Sequence, residues 1–307
     1  GFNWGWGSGF CAGAVRTWEN RHIASIGRGI AVIHTLKTVV QQAQTTRPLV
    51  HAITNYITAN DCANMILAAG GAPTMAQDER EVEEITALSN ALVLNLGALH
   101  AQQAMLLAGR KANRLGHPVV FDPVAAGASF LRGENSRRLL HEVKMAVIRG
   151  NASEIRALAI GTETTLGVEA NALDKVTEAN LLESAALVQT FSRRTGAVVA
   201  LTGEIDLVTD GTRTVALYGG CEMMGRITGA GCMLTALTAC YCGANPNCPF
   251  EATVAAVGVM DICGEAAYQQ VKRAGEGTAS FRTRLIDAVS RFEAEDFAGK
   301  LHLRLLT

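Results

Sequence analysis

The sequence has no excess of charge of either sign: 27 Lys and Arg stand against 28 Asp and Glu in 307 residues, a net charge of −1. That balance argues against a chain built to grip nucleic acid or an anionic membrane through its overall field. Charged residues make up only 18% and aromatic residues 5%, whereas 49% are hydrophobic. A chain this apolar is not generally disordered. It contains no C-x-x-C pair, no G-x-x-x-x-G-K-[ST] loop and no G-x-G-x-x-G turn, so the usual zinc spacing and the usual nucleotide fingerprints are missing. No internal repeat, low-complexity linker or composition break interrupts residues 33–307. Length alone allows two domains, but this continuity predicts one, over residues 31–307.

Eight cysteines are present: Cys11, Cys62, Cys221, Cys232, Cys240, Cys242, Cys248 and Cys263. A chain of this length buries a full core without disulfide or metal staples, and its cysteines are too dispersed for a secreted disulfide framework. A reducing cytoplasm is the expected compartment. Cys240, Cys242 and Cys248 lie close together without a histidine among them and read as buried thiols rather than a metal cluster. Residues 227–250 carry no charge, yet are rich in Gly, Thr, Cys, Asn and Pro. They read as a buried core helix rather than a membrane span. Residues 1–28 hold all three tryptophans, three arginines and a single acid, Glu19. The Arg-bearing, acid-poor character is that of a transit peptide, while Glu19 and the Gly/Trp cluster are not. Residues 1–30 are set apart as an N-terminal extension of unassigned role.

From about Ile33, helical and strand-like blocks alternate. Residues 58–70 read as a helix ending at Gly70-Gly71, and His100 to Leu115 as another. Short apolar runs at 91–97, 118–124, 145–151 and 197–203 end in Gly, Asp or Asn, the signature of buried parallel strands in βα units. Asp210-Gly211 joins two further runs as a hairpin turn, so one antiparallel pair is expected near the sheet edge. The stretch from Thr228 to about Phe292 is helical in character, and LHLRLLT alternates as a last strand. The fold class is α/β. Asn95 and Gly97, Asp122, Asn151 with Glu154, and Thr202 with Gly203 each follow an apolar run. In open α/β sheets ligands bind at such carboxyl ends, so four strand ends point at one crevice.

The segment Thr228-Gly229-Ala230-Gly231-Cys232 precedes a long apolar helix. Its glycines permit close approach of an anion to the unpaired N–H groups of the first helical turn; an ordinary Gly-rich turn has the same composition. Cys232, on that turn, is predicted to feel the positive end of the helix dipole and to favour thiolate. Asn151 and Glu154, three residues apart, suit either Mg²⁺ and its waters or a simple helix N-terminus. Asp122 is the natural second carboxylate, and Arg149 a cation able to meet a phosphate.

Seven ordered motifs then converge: PLVHAITNYITANDCAN (48–64), GGAPTMAQDEREVEEI (70–85), ALVLNLGAL (91–99), PVVFDPVAAGAS (118–129), RGNASEI (149–155), ALTGEIDLVTDG (200–211) and TGAGC (228–232). In these the sequence resembles the hydroxyethylthiazole kinases of the ribokinase-like superfamily, from about Thr46 to Phe292. The resemblance implies a three-layer α/β/α sandwich with a mostly parallel central sheet. It implies transfer of the γ-phosphate of ATP, with Mg²⁺, to the primary alcohol of hydroxyethylthiazole in thiamine salvage. By matching motif, Arg149, Thr202 and Asn151 would meet ATP; Met75, Gly229 and Asn55 would line the thiazole site; Asp122 and Glu154 would lie around Mg²⁺. Residues Gly229, Ala230, Gly231 and Cys232 would form the anion hole, with Cys232 catalytic where most of the superfamily carries Asp. Family members are typically homotrimers sharing sites between subunits. Two departures concern selectivity: Ala52 stands where the family usually has Asn, and Ala98 replaces a hydroxyl residue. Rival readings are another ribokinase-like kinase of a hydroxymethylpyrimidine or pyridoxal alcohol, a nucleotide-dependent NAD(P)H-hydrate dehydratase, and a non-catalytic ATP or thiazole sensor. Cys232 and the HAITN segment argue against the first, Cys232 against the second, and the intact Asp122, Glu154 and Cys232 against the third.

Overall fold

The apolar runs predicted as strands are buried along their length, as expected for strands covered on both faces. The computed structural model describes residues 32–160 and 175–306; the N-terminal segment 1–30 lies outside them. A helix over residues 32–46 (α1) leads into β1 (Leu49–Ile53), α2 (Ala59–Ala68), β2 (Ala72–Thr74), α3 (Val82–Leu88), β3 (Ala91–Asn95), α4 (Gln102–Leu115), β4 (Val119–Asp122), α5 (Phe130–Glu142), β5 (Val147–Asn151) and α6 (Ala152–Ile160). Then follow α7 (Leu181–Thr195), β6 (Val198–Thr202), β7 (Asp206–Thr209), β8 (Thr214–Tyr218), α8 (Ala230–Ala244), α9 (Pro249–Ala274), α10 (Thr278–Ser290) and β9 (His302–Leu305).

The strands form one sheet in the order β2-β1-β3-β4-β5-β6-β7-β8-β9. Pairing is parallel from β2 to β6 and antiparallel from β6 to β9. Helices α3, α4, α6 and α7 cover one face; α8 and α9 cover the other, with α2 and α10 packed behind them. The three-layer α/β/α sandwich is thus present. Leu36 to Thr307 make one compact unit.

Two strands escape a reading by pattern. Strand β1 carries His51 within its apolar run, and β2 has only three residues, one of them Pro73, which a sheet edge tolerates. The antiparallel part is also larger than the single pair expected. Strand β9, mostly exposed, adds to β8 with Val215 opposite Leu305. The β7–β8 hairpin turns through Asp210-Gly211-Thr212-Arg213, where Asp210 Oδ1 accepts from the Thr212 and Arg213 amides at 3.0 and 2.7 Å.

Helix α8 is apolar on every side and buried from Cys232 to Cys242, as a central core helix must be. No helix among the described residues is long and apolar enough to cross a membrane. Cys240 and Cys242 are fully buried, and the seven cysteines of the described residues are free thiols.

Candidate active site

Strands β3, β4, β5 and β6 are consecutive and parallel, so Asn95, Asp122, Asn151 and Thr202 all emerge at one end of the sheet. The N-terminus of α8 reaches the same place. Gly229 caps this helix with φ +88°, and a Cβ there would stand 2.7 Å from Thr58 Cγ2. Both the backbone region and the crowding call for glycine. At Gly231 a Cβ would lie 3.0 Å from Arg149 Cζ, so the guanidinium packs against the first turn of the helix.

Arg149 is buried, donates from Nη2 to Thr202 Oγ1 at 2.6 Å, and stands 4.0 Å from Asp122 Oδ2. Its Nε has no partner. Asp122 is also buried and accepts from Thr235 Oγ1 at 2.9 Å and from Asn95 Nδ2 at 3.3 Å. Burial pushes its carboxyl up to about 6, with Arg149 opposing and Glu154 reinforcing that rise. Its other oxygen, Oδ1, is buried without a partner. A carboxylate oxygen left so is costly unless something positive meets it, so the donor set fits a divalent cation that keeps waters of its own.

Cys232 Sγ lies 3.2 Å from Asn95 Nδ2 and 3.7 Å from Asn55 Nδ2. Contrary to the expectation from the helix dipole, its thiol is raised rather than lowered. Burial is the largest cause and the Asp122 charge the next, outweighing the hydrogen bonds from Thr58 and Asn95 and the pull of Arg149. Helix position alone did not account for a carboxylate packed beside the sulfur.

Asn151 and Glu154 build a reciprocal cap on α6. The Asn151 side chain accepts from the Glu154 amide at 2.9 Å, and Glu154 Oε2 accepts from the Asn151 amide at 2.9 Å. Glu154 Oε1 takes the Ala125 amide at 3.0 Å and so fixes the loop after Asp122. The Asn151 side chain is thereby occupied in capping, while its backbone stands opposite Thr202.

Met75 is half-buried after the edge strand β2. Its loop is tied to the β1 end by Gln77 Nε2 donating to Thr54 O at 2.7 Å and by His51 Nε2 bonded to Ala76 O at 2.9 Å. Burial holds His51 below its usual proton affinity. The neutral ring therefore donates to the Ala76 carbonyl and accepts from Thr86 at 2.9 Å. Ala52 is fully buried within β1. The sequence places Asn95 at the crevice but gives it no role, and it does not single out Thr235. Asn95 was legible as the polar end of an apolar run; Thr235, within an apolar helix, gave no signal.

Beside the cluster opens a cleft of about 730 Å³, lined by Arg149, Thr202, Gly203 and Gly231 at one part and by Met224 and Asp261 at another. Its size suits a small organic ligand.

Residues 40–295 match the Hydroxyethylthiazole kinase family. A hydroxyethylthiazole kinase of Clostridium acetobutylicum is 46% identical over 262 residues, covering 85% of this chain and 96% of the relative. The structure of a hydroxyethylthiazole kinase protein from Pyrococcus horikoshii superposes with a TM-score of 0.78 at 35% identity, covering 89% of this chain and 99% of that one. A ribokinase-like superfamily protein of Enterococcus faecalis, 12% identical with a TM-score of 0.56, covers 81% of this chain and 88% of its own, and shares the fold. With a matching family over most of its length, the fold of that family and polar residues gathered at one end of its sheet, the chain belongs to the hydroxyethylthiazole kinase family.

Proposed function

We infer that this protein transfers the γ-phosphoryl group of ATP to the primary alcohol of 4-methyl-5-(2-hydroxyethyl)thiazole, an activity that serves thiamine salvage. The carrying observation is the convergence of Asp122, Arg149, Thr202 and Cys232 on the glycine-rich start of α8. Phosphoryl transfer asks chiefly for positioning and for neutralisation of charge as it develops. Arg149, locked by Thr202, meets the nucleotide phosphates, and the Gly229, Ala230, Gly231 and Cys232 amides receive the transferring group. Asn151 borders the nucleotide through its backbone.

Asp122 holds Mg²⁺, with Glu154 close by; the unpartnered Oδ1 supports the first assignment and the mutual influence of the two carboxyls the second. When bound, the cation supplies neutralisation of phosphate charge. Asn55, Met75 and Gly229 face the thiazole alcohol. The Cys232 thiol, neutral at the start of the reaction and oriented by Asn95 and Asn55, positions the hydroxyl in line, and only its minor thiolate form takes the hydroxyl proton as the oxygen commits to phosphorus. The protein acts in the cytoplasm as a homotrimer, a reading supported by Tyr56 and Ile57, 76% and 79% exposed beside Asn55.

Purified protein incubated with Mg-ATP and hydroxyethylthiazole is expected to yield the thiazole phosphate. Absence of that product, with turnover of a pyrimidine or pyridoxal alcohol instead, overturns the assignment.

A further inference from the structure

The phosphate-binding part of the cleft accounts for Arg149, Thr202 and Gly231, but not for a carboxyl group buried further along it. Asp261, midway through α9, is 7% exposed, lines the cleft, and has a carboxyl oxygen, Oδ2, with no hydrogen-bond partner. The Gly219-Gly220 backbone is pressed against it: a Cβ at Gly219 would lie 3.2 Å from Asp261 Cγ, and one at Gly220 3.2 Å from Oδ1. Glycine at both positions lets the backbone close on this carboxyl, whose Oδ2 is buried. Asp206, Glu204 and Glu222 also line the cleft, and part of its wall is apolar and polarisable. Met260 and Leu234 line the cleft, and the Met224 thioether lies where Cβ atoms at Gly220 and Gly264 would stand 3.1 and 2.7 Å from its sulfur. Thioether and aliphatic walls suit a flat heteroaromatic ring. Among the polar groups of the cleft, a buried carboxyl oxygen without a partner discriminates against a ligand that leaves it unpaired.

We propose that Asp261 is a specificity-determining residue for the nucleotide, accepting a hydrogen bond from the exocyclic 6-amino group of adenine. This rests on the reading of the cleft as the ATP site. The charged groups facing Asp261 are acidic, Asp206 from β7 and Glu265 one turn along α9, and with burial they hold its carboxyl well above the usual carboxylate range. A neutral carboxylic acid presents an acceptor and a donor side by side, matching the amino group and adjacent ring nitrogen of adenine.

The test is direct nucleotide binding by calorimetry in the presence of Mg²⁺ and without the alcohol. It compares ATP with purine riboside triphosphate, which lacks the 6-amino group, and with 2′-deoxy-ATP. Wild-type protein is expected to bind the desamino nucleotide about tenfold more weakly than ATP. Asp261→Ala is expected to bind the two alike, and Asp261→Asn to retain the preference. Equal wild-type affinities for ATP and the desamino analogue overturn the proposal, as does an alanine variant that keeps the discrimination. Loss of discrimination between ATP and 2′-deoxy-ATP alone would assign Asp261 to the ribose and also overturn it. The wild-type comparison needs no variant to fold. A protein that binds ATP but does not phosphorylate the thiazole alcohol would defeat the proposed reaction and leave this comparison decisive.

Discussion

At the scale of single residues, the Cys232 thiol is held neutral by its burial and by the Asp122 carboxylate, so its first contribution is geometry rather than a ready-made base. Cys232→Asp is expected to retain or raise turnover, because a carboxylate both orients the alcohol and accepts its proton. Cys232→Ala should lower kcat on the order of 10²-fold without altering the thermal midpoint by more than a few degrees. Steady-state kinetics decides it, and an unchanged rate in the alanine variant removes any catalytic role. Asp122 and Asp206 illustrate a separate cost. Each ionises near 3.8 when unfolded and, mainly through burial, only near about 6 in the folded protein. Between those values the folded state binds more protons, so the stability of the ligand-free protein falls as pH rises through about 4 to 6 and stays lower above. Asp122→Asn should therefore be inactive, yet more stable at pH 7 by up to about 3 kcal/mol, from about two pK units at 1.36 kcal/mol each. At pH 4 it should match the wild type in urea denaturation.

At the scale of elements, the start of α8 and the start of α6 each join a structural task to a proposed functional one. Gly229→Ala would meet both a left-handed φ and the Thr58 methyl group. It is expected to cost about 1–3 kcal/mol and to cripple phosphoryl transfer by shifting the anion hole. Adding Thr58→Ala should recover the part due to contact but not the part due to φ, which thermal denaturation of the single and double variants would reveal. At α6, the capping box and the proposed metal neighbour are the same Glu154. Glu154→Gln keeps one acceptor oxygen for the reciprocal cap but turns its amide NH2 on the Ala125 N–H, and should cost about 1 kcal/mol while weakening the Mg²⁺ dependence of activity. Glu154→Ala loses the cap bond as well and should cost about 1 kcal/mol more. Equal magnesium titrations for wild type and Glu154→Gln would leave this glutamate a purely structural role. The cap explains why the sequence alone could not choose: N-x-x-E at a strand-to-helix junction has the same spacing for both purposes.

At the scale of the whole molecule, the site lies at one end of a run of parallel strands, and Tyr56 and Ile57, next to Asn55, are exposed. In the proposed trimer a neighbouring subunit would cover these apolar side chains. Sedimentation is expected to give a trimer. Ile57→Asp should shift it toward monomer and raise KM for the alcohol at least severalfold while leaving nucleotide binding intact. A monomeric wild type, or an Ile57→Asp trimer of normal KM, contradicts the shared site.

Local pattern determined the α/β class and the positions of β3 to β8. It also marked the glycine-rich start of α8, because buried strands and helix starts are encoded within a few neighbouring residues. The order of the family motifs was equally legible, since it is a property of the chain itself. Strands β1 and β2 were not, their apolar pattern being too short or interrupted by His51 and Pro73. What only the tertiary structure decided was contact between distant elements: Asn95 and Thr235 on Asp122, Arg149 across Gly231, and Asp261 beneath Gly219-Gly220. The same holds for charge. Helix position predicted a lowered Cys232 thiol, but proton affinity depends on all that packs around the sulfur, and the packing of β4 against α8 brings Asp122 beside it.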